Sequence, residues 1–459
     1  MHLPRILLTT AYSDNRKTML TAGISLALQQ RGRKLSYFSC GTDYLAPRIN
    51  ARLLEIHSRI LDTYFMSEEQ IRYQLVSNTK YEDFVVMEGM QRFYDGVGYS
   101  SVASSYDLAR VTDTPVILIV NASDFTVTNI SMLKGLIDYK QGNNIRGIIF
   151  NKATKAIYRR WKDVIREELG ITLLGFIPNV SDYLAPSMYI LTDPDEVQET
   201  RKRLYDLASI LNNCIDFDAL IDLAESAPDF EYIEPDLPHL EKPVRVAVAR
   251  DNAFRLYYED NMDLLRAMGA ETVLFSPLED KELPENTAAL ILVGGHPEIY
   301  AETLSANRSM RESILKALKG GMPCLAFGGG FMYLCKTLLD YRKLPHEMVG
   351  FLDAQTFPAD ESEALGHMKL IAQKDTLLGK KGTVLLGHGY HSFESSLKGE
   401  DFLASTEGED RWFPFGLGAG NLVAGFAHLY YASNPEASFR FLKAAESYLQ
   451  GLQDLPAGE

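Results

Sequence analysis

The sequence predicts an α/β protein with two domains, and three observations indicate this. Its 459 residues are too many for one hydrophobic core. In each half, short apolar runs bounded by turn residues alternate with segments whose apolar residues recur at helical spacing. Between the halves, residues 216–243 are acidic and rich in proline, which is typical of a linker. We therefore expect domains at 1–215 and 244–459.

The first half carries the pattern of a doubly wound parallel sheet. Apolar residues at helical spacing predict a helix over Thr18–Arg31, and another helical stretch is expected to end near Leu211. In such a fold, polar residues at the strand ends gather at one edge of the sheet. The runs that predict buried parallel strands are Arg5–Thr10, Phe84–Met87, Pro115–Val120, Gly147–Phe150 and Thr172–Ile177.

The second half repeats the alternation of strand and helix. Helices are predicted over Asp260–Met268, Ser309–Leu318 and Glu436–Leu449. The predicted strands are Val244–Val248, Ala289–Val293, Pro323–Ala326, Gly382–Leu386 and Asn421–Ala424.

Composition and charge exclude several classes of protein. Lys and Arg total 46 against 61 Asp and Glu, a net charge of −15, which disfavours a nucleic-acid-binding protein but not a local basic pocket. We see no signal peptide and no uncharged apolar stretch long enough to span a membrane. The four cysteines, Cys40, Cys214, Cys324 and Cys335, form no C-x-x-C pair, so we expect neither a zinc site nor disulfides. A cytoplasmic protein is expected.

The segment after the first strand ends in Lys17-Thr18, as a phosphate-binding loop does. There the lysine would reach the phosphates and the threonine would hold Mg²⁺. A full loop also needs two glycines, which let backbone N–H groups approach the phosphates. Their positions hold Ala11 and Arg16. The pair is therefore a weak signal by itself.

A second interpretation of this segment is an ordinary capped helix. Ser13 or Asp14 would be its N-cap, and a carboxylate at Asp14 would repel phosphate. Farther along, Glu88 ends a predicted strand, where α/β sheets place their sites. It could hold Mg²⁺, or it could be an acid that faces solvent.

Pro323–Leu334 predicts a strand, a glycine-rich turn and a helix, which is the geometry of a nucleophile elbow. The position at the sharp turn should hold serine or cysteine but holds Gly328. Glycine has no side chain, so covalent catalysis from this position is impossible. Cys324 falls inside the strand and Cys335 about two helical turns beyond Gly328, and both are expected to be core thiols.

Three histidines are candidate site residues in the second half. His428 follows a predicted strand and could be a base for the missing nucleophile. His388 and His391, three residues apart among aromatic residues, could contact a ligand or bind a metal. Ordinary surface or core histidines are the alternative.

Ordered motifs over nearly the whole chain resemble one known family. Gly41–Pro47 resembles G-P-D-Y-I-D-P, and Glu88–Gly96 resembles E-G-x-x-G-L-Y-D-G. Ala249–Asn261 is similar to A-R-D-x-A-F-x-F-Y-Y-x-D-N, and Gly387–Ser392 to G-H-E-F-H-Y-S. His428 falls on the triad histidine. By these motifs the chain resembles the cobyrinic acid a,c-diamide synthase family, which includes the nickel-sirohydrochlorin a,c-diamide synthases.

The resemblance implies an N-terminal P-loop-like domain of dethiobiotin-synthetase type and a C-terminal domain of class I glutaminase type. In the family the glutaminase frees ammonia, and the synthetase uses Mg-ATP to activate tetrapyrrole carboxylates for amidation. Lys17, Thr18 and Glu88 are then the candidates for binding Mg-ATP, with Thr18 and Glu88 as the Mg²⁺ ligands. A homodimer is also implied. The candidate substrate contacts are Asp43, Tyr44, Tyr94, Asp95, His388 and His391.

The chain departs from the family at both active sites. The motif A-E-C-G-G-L-M-Y is Ala326–Tyr333 here, with Gly328 in place of the cysteine. The motif S-G-x-G-K-T is Ser13–Thr18, with both glycines replaced. Other departures are Ala46 for the second aspartate of D-Y-I-D, Asn121 for a strand-end aspartate and Ser181–Pro186 for P-E-R-H-L-G-L.

These losses leave three hypotheses. The chain could be an amidase that uses ATP and takes ammonia from solution. It could be a homologue that does not amidate and binds a tetrapyrrole or a partner protein. It could also be a regulatory pseudo-amidotransferase that pairs with an active paralogue. The first keeps ATP binding, and the other two need neither phosphoryl chemistry nor a nucleophile.

Overall fold

The computed structural model describes residues 1–11, 17–183, 190, 193–406 and 411–453, with the backbone alone at 361–364 and 452–453. The predicted cap at Ser13 or Asp14 lies outside the described residues, as do Arg16 and residues 184–186 of the segment Ser181–Pro186. The chain divides into two compact units, Met1–Pro235 and Asp236–Glu459. Within the described ranges, no helix is both long enough and apolar enough to cross a membrane.

The first unit is a doubly wound α/β domain, as predicted. Among its described residues, seven parallel strands form one sheet in the order β3-β2-β4-β1-β5-β6-β7. The strands are β1 (Arg5–Thr10), β2 (Leu35–Cys40), β3 (His57–Leu61), β4 (Phe84–Glu88), β5 (Val116–Asn121), β6 (Ile145–Asn151) and β7 (Thr172–Ile177). The helices are α1 (Lys17–Gln30), α2 (Leu45–Leu54), α3 (Glu68–Ser77), α4 (Ser105–Val111), α5 (Val127–Asp138), α6 (Lys155–Leu169), α7 (Pro194–Asn212) and α8 (Phe217–Glu225).

The linker predicted over 216–243 is wrong at its beginning, because α8 lies within it. The Asp216 side chain accepts a hydrogen bond from the Ala219 N–H at 3.1 Å and caps this helix. Phe217, Leu220 and Ala224 recur at helical spacing and are buried in the core of the first unit. The linker was predicted from the acidic composition of the whole segment, which did not take into account the apolar residues at helical spacing.

The second unit contains a parallel sheet of five strands within the described residues, in the order β10-β8-β11-β13-β20. Its strands are β8 (Val244–Ala249), β10 (Ala270–Phe275), β11 (Ala289–Leu292), β13 (Cys324–Phe327) and β20 (Leu422–Gly425). A short pair, β9 (Phe254–Leu256) and β12 (Gly294–Gly295), runs antiparallel. The helices are α9 (Glu259–Ala267), α10 (Ala301–Ala306), α11 (Arg308–Lys319), α12 (Gly329–Leu334) and α13 (Pro435–Gln453).

A second, mixed sheet in this unit was not predicted. Its centre is a long antiparallel pair in which β17 extends well beyond the predicted strand Gly382–Leu386. Cys335 was expected two turns along a helix, but α12 ends at Leu334 and Cys335 begins a strand of this sheet with extended backbone. The strands are β14 (Cys335–Leu339), β15 (Pro345–Glu347), β16 (Leu352–Ala372), β17 (Val384–Ser395), β18 (Phe402–Thr406), β19 (Trp412–Phe415) and β21 (Ala427–Leu429).

Candidate functional site

Lys17, Thr18 and Glu88 meet at the carboxyl edge of the first sheet. Glu88 ends β4, and Lys17 and Thr18 begin α1, which follows the neighbouring strand β1. The Thr18 hydroxyl donates to Glu88 Oε1 at 2.8 Å. Lys17 Nζ lies 3.7 Å from the same oxygen and donates a hydrogen bond to the Gly89 carbonyl. The structure therefore brings together the three residues predicted for this site.

Glu88 does not face solvent, so that alternative is wrong. The residue is 4% exposed, and the Tyr37 hydroxyl donates to its Oε2 at 2.6 Å. Burial raises the pKa of the Glu88 carboxyl, and the Lys17 charge and the hydrogen bonds from Tyr37 and Thr18 oppose this effect. Glu88 is therefore held by partners on both of its oxygens.

The oxygen donors at this site suit Mg²⁺, which prefers such ligands. Thr18 and Glu88 supply one hydroxyl and one carboxylate. Within the described ranges, no group of three or more His, Cys, Asp or Glu side chains is arranged to hold a metal ion. Mg²⁺ often binds through one or two protein oxygens together with substrate phosphates, so the donor set fits a nucleotide-bound ion.

Asp43 and Tyr44 lie at the start of α2. Asp43 Oδ1 accepts hydrogen bonds from the N–H groups of Leu45 at 2.7 Å and Ala46 at 3.2 Å, so it caps this helix. Asp43 is exposed, and its charge raises the pKa of Glu88. Tyr44 is half-buried beside it.

Tyr94 and Asp95 follow β4 but make their described contacts elsewhere. The Tyr94 hydroxyl donates to the Leu136 carbonyl at 2.9 Å, and burial raises the pKa of Tyr94 to about 12. Asp95 pairs with Arg92 at 3.2 Å on the surface. None of these contacts joins either residue to Glu88.

In the second unit, Gly328 has the backbone of a nucleophile elbow. It lies between β13 and α12 with φ 54° and ψ −117°, a conformation that is strained for any residue with a side chain. Its N–H donates to the Gly425 carbonyl at 2.8 Å. A Cβ atom at this position would lie 2.9 Å from His428 Nε2. The histidine ring therefore occupies the space of the missing side chain.

His428 is buried and neutral. It lies on β21 opposite His388 of β17. Burial lowers its pKa to about 3, and the charges of His388 and His391 add to this effect. The cavity beside it, lined in part by Phe327, has a volume of about 20 Å³. That space accepts a water molecule but not an amino acid.

The two cysteines near the elbow are core thiols, as predicted. Cys324 lies inside β13, and Cys335 begins β14; both are buried. Burial raises the pKa of the Cys324 thiol well above its usual range and that of Cys335 to about 12. Neither is a thiolate near neutral pH, and the thiolate is the nucleophilic form.

His388 and His391 both lie on β17, and the charge of each lowers the pKa of His428. Within the described residues, no third His, Cys, Asp or Glu side chain joins them in a group that could hold a metal ion. His391 stacks on Phe426 with ring centroids 4.4 Å apart and lines a cavity of about 650 Å³. Its Nδ1–H donates to the Phe393 carbonyl at 2.9 Å, which fixes the ring.

Sequence reasoning missed two parts of this picture. Tyr37, which holds Glu88, lies on β2, whose serines interrupt the apolar run that would predict a strand. The rings around the 650 Å³ cavity were also missed, although the alternation at Trp412–Phe415 was a signal for a strand with an aromatic face.

Comparisons with known proteins agree with the two units. A model of the CobB/CobQ-like glutamine amidotransferase domain matches residues 245–436, and a model of an AAA domain matches residues 43–187. A cobyrinate a,c-diamide synthase of Caldanaerobacter subterraneus is 32% identical over 441 residues, which is 95% of this chain and 97% of the relative. The cobyrinate a,c-diamide synthase of Dehalococcoides mccartyi is 30% identical over 98% of this chain and 99% of its own length. That of Priestia megaterium is 30% identical over 94% of this chain and 94% of its own length.

Proposed function

Because the chain belongs to the cobyrinate a,c-diamide synthase family, we propose that it amidates carboxylates of a cobyrinate-type tetrapyrrole with ATP and free ammonia, not with glutamine. One observation carries the proposal: a Lys17–Thr18–Glu88 cluster in the first unit coexists with a glycine at the nucleophile position of the second. The first feature keeps the lysine, hydroxyl and carboxylate of a nucleotide site, and the second removes the glutaminase step.

The first unit offers binding groups for a nucleotide. Lys17 and Thr18 stand at the N-terminus of α1, where the helix dipole favours anions and adds to the lysine charge. Mg-ATP would be held by Lys17, Thr18 and Glu88, and would supply the phosphoryl group that activates a carboxylate for attack by ammonia. Lys17 would then exchange its bond to the Gly89 carbonyl for a phosphate oxygen.

The second unit lacks what glutamine hydrolysis requires. A class I glutaminase forms a covalent intermediate on a cysteine at the elbow, and Gly328 has no nucleophile. Cys324 and Cys335 are buried with raised pKa values, so neither replaces it. We therefore infer that glutaminase activity is lost.

A second candidate function is a tetrapyrrole-binding or regulatory pseudo-amidotransferase, acting alone, as a homodimer or with an active paralogue. One observation favours it. Both carboxylate oxygens of Glu88 are hydrogen-bonded within the protein, to Thr18 and Tyr37, and Lys17 is bound to the Gly89 carbonyl. A site whose groups satisfy one another without a ligand does not by itself require one.

Amide formation separates the two candidates. Purified protein is incubated with cobyrinate and Mg-ATP and with either ammonium chloride or glutamine, and the product is measured by mass spectrometry. We expect diamide with ammonium and none with glutamine. Lys17→Ala should abolish the reaction and reduce Mg-ATP binding in a calorimetric titration, whereas the exposed control Lys80→Ala should not.

Other outcomes reject the proposal. Product formed with glutamine would mean that the second unit hydrolyses it by some other group. No product with either nitrogen source, together with no binding of millimolar ATP, would leave the pseudo-amidotransferase.

A further inference from the structure

The two carboxylate oxygens of Glu88 have different partners. Oε1 accepts a hydrogen bond from the Thr18 hydroxyl at 2.8 Å and lies 3.7 Å from Lys17 Nζ. Oε2 accepts a hydrogen bond from the Tyr37 hydroxyl at 2.6 Å. Oε1 is therefore the oxygen on the side of α1, where the nucleotide groups stand, and Oε2 is bound to strand β2.

Tyr37 is held within the sheet and acts as a donor. The residue is fully buried on β2, and Ser39, two residues farther along the same strand, pairs with Glu88 across the ladder between β2 and β4. Residues two apart on a strand share one face, so Tyr37 and Ser39 both lie on the face of Glu88. Burial and then the charge of Glu88 raise the pKa of Tyr37 well above its usual range. The phenol therefore keeps the proton that it donates to Oε2.

This hydrogen bond changes what Glu88 offers to a cation. A carboxylate with one oxygen bound to a phenol has the other oxygen left as a ligand. Ca²⁺ takes about six to eight oxygen ligands and often uses both oxygens of a carboxylate, whereas Mg²⁺ keeps several waters and needs few protein oxygens. The loss of Oε2 as a ligand therefore disfavours Ca²⁺ more than Mg²⁺.

We propose that Tyr37 is a specificity-determining residue of the first unit: by donating to Oε2, it restricts Glu88 to one metal-binding oxygen and makes the site prefer Mg²⁺ over Ca²⁺ as the ion that accompanies the nucleotide. This inference rests on the nucleotide binding proposed above, but it depends neither on amidation nor on the second unit. Tyr37 acts through Glu88, so it is a positioning residue.

Calorimetric titration with the nonhydrolysable ATP analogue adenylyl imidodiphosphate tests the proposal. Each protein is titrated in excess MgCl₂, in excess CaCl₂ and in EDTA. For wild type we expect the Kd of the Ca²⁺ complex to be about tenfold or more above that of the Mg²⁺ complex, because Ca²⁺ loses a ligand that it favours.

The test variant is Tyr37→Phe combined with Ser39→Ala. The second change is needed because Ser39 lies opposite Glu88 and would be free to donate to Oε2 once the phenol is absent. With Oε2 available, the ratio of the Ca²⁺ to the Mg²⁺ Kd should fall by about fivefold or more. The Kd in EDTA should stay within about twofold of wild type, because neither change removes Lys17 or Thr18.

A matched control removes the same two hydroxyl groups elsewhere in the first unit. In Tyr106→Phe with Ser36→Ala, the lost hydrogen bonds are those to the Gln141 carbonyl at 3.1 Å and the Asn78 carbonyl at 2.9 Å. The printed contacts of Glu88 include neither residue, so this variant should keep the wild-type ratio.

Three results overturn the proposal and leave the nucleotide site in place. The first, which needs no variant, is equal binding of the Mg²⁺ and Ca²⁺ complexes by wild type. The second is an unchanged ratio in a test variant that a melting curve shows to be folded. The third is a Kd that rises equally in MgCl₂, CaCl₂ and EDTA, which would give Tyr37 a structural role alone. No binding of the Mg²⁺ complex by wild type is a different result, because it rejects the nucleotide site and both proposals with it.

Discussion

At the scale of single residues, position 328 combines a missing nucleophile with a backbone that still has the shape of an elbow. We predict that Gly328→Cys does not restore glutaminase activity. The new Cβ would lie 2.9 Å from His428 Nε2, so the ring must move before a thiol can lie beside it. The positive φ adds strain, and we expect the free energy of unfolding to fall by about 1–3 kcal/mol.

Ammonia release from glutamine and urea denaturation together check this prediction. Gly328→Ala is the matched variant, since it carries the same Cβ without sulfur and should lose stability to a similar extent. Glutamine hydrolysis by Gly328→Cys, absent in Gly328→Ala, would show that the site still binds glutamine and that only the cysteine was missing.

The buried histidine gives a prediction on pH. The pKa of His428 is about 3 in the folded protein, below the 6.5 of an ordinary histidine. Between these values the unfolded chain binds a proton that the folded protein does not, so stability falls as the pH is lowered through this window. Between pH 6.5 and 4, wild type should lose up to roughly 3 kcal/mol more than His428→Gln.

Urea denaturation of both proteins at several pH values measures this difference. The carboxylates common to both proteins contribute equally and cancel in the comparison. Equal losses for wild type and His428→Gln would show that the imidazole is protonated in the folded state or reaches water.

The sequence predicts which side chains meet at the site when those residues lie next to the ends of strands, and it fails for residues in the middle of a strand. Lys17, Thr18 and Glu88 could be placed together because strands β1 and β4 had clear apolar runs and neighbouring ends meet at one edge. Tyr37 could not be placed, because a mid-strand residue reaches Glu88 only through the neighbour order of β2 and β4, which local pattern does not encode.

At the scale of elements, Asp43 has a structural role as the cap of α2, which can be tested separately from its predicted role in substrate binding. Its carboxylate accepts hydrogen bonds from the N–H groups of Leu45 and Ala46. We predict that Asp43→Ala lowers the free energy of unfolding by about 1 kcal/mol, whereas Asp43→Asn, which also caps, stays near wild type. Chemical denaturation measures both. A loss of amidation in Asp43→Asn without loss of stability would add a substrate role.

The mixed sheet shows where local patterns fail. Two strands, β16 and β17, pair along most of their lengths, but glycines and one proline, Pro358, interrupt the alternation that predicts strands. As a result, only the first residues of β17 were predicted, and the spacing of His388 and His391 was weighed as a metal pattern. Both lie on β17, where the charge of each lowers the pKa of His428.

At the scale of the whole molecule, the two units are joined by a segment that lacks regular structure and is largely exposed. The Phe230 N–H bonds the Met1 carbonyl within the first unit, and the Leu240 N–H bonds the Met268 carbonyl within the second. The predicted linker at 216–243 was based on its acidic composition. The helix α8 is acidic on its exposed face but apolar on its buried face, so the acidic composition begins before the folded part of the first unit ends.

This connection gives the last prediction. Protease Glu-C should cut the folded chain first after Glu231 or Glu241, since both are exposed and neither lies in a helix or strand, so the backbone can adapt to the protease. Two fragments that correspond to the units should persist, because each unit has its own core. The double variant Glu231→Gln with Glu241→Gln should remain intact longer. Earlier cleavage inside either unit would show that its local stability is lower than its packing indicates.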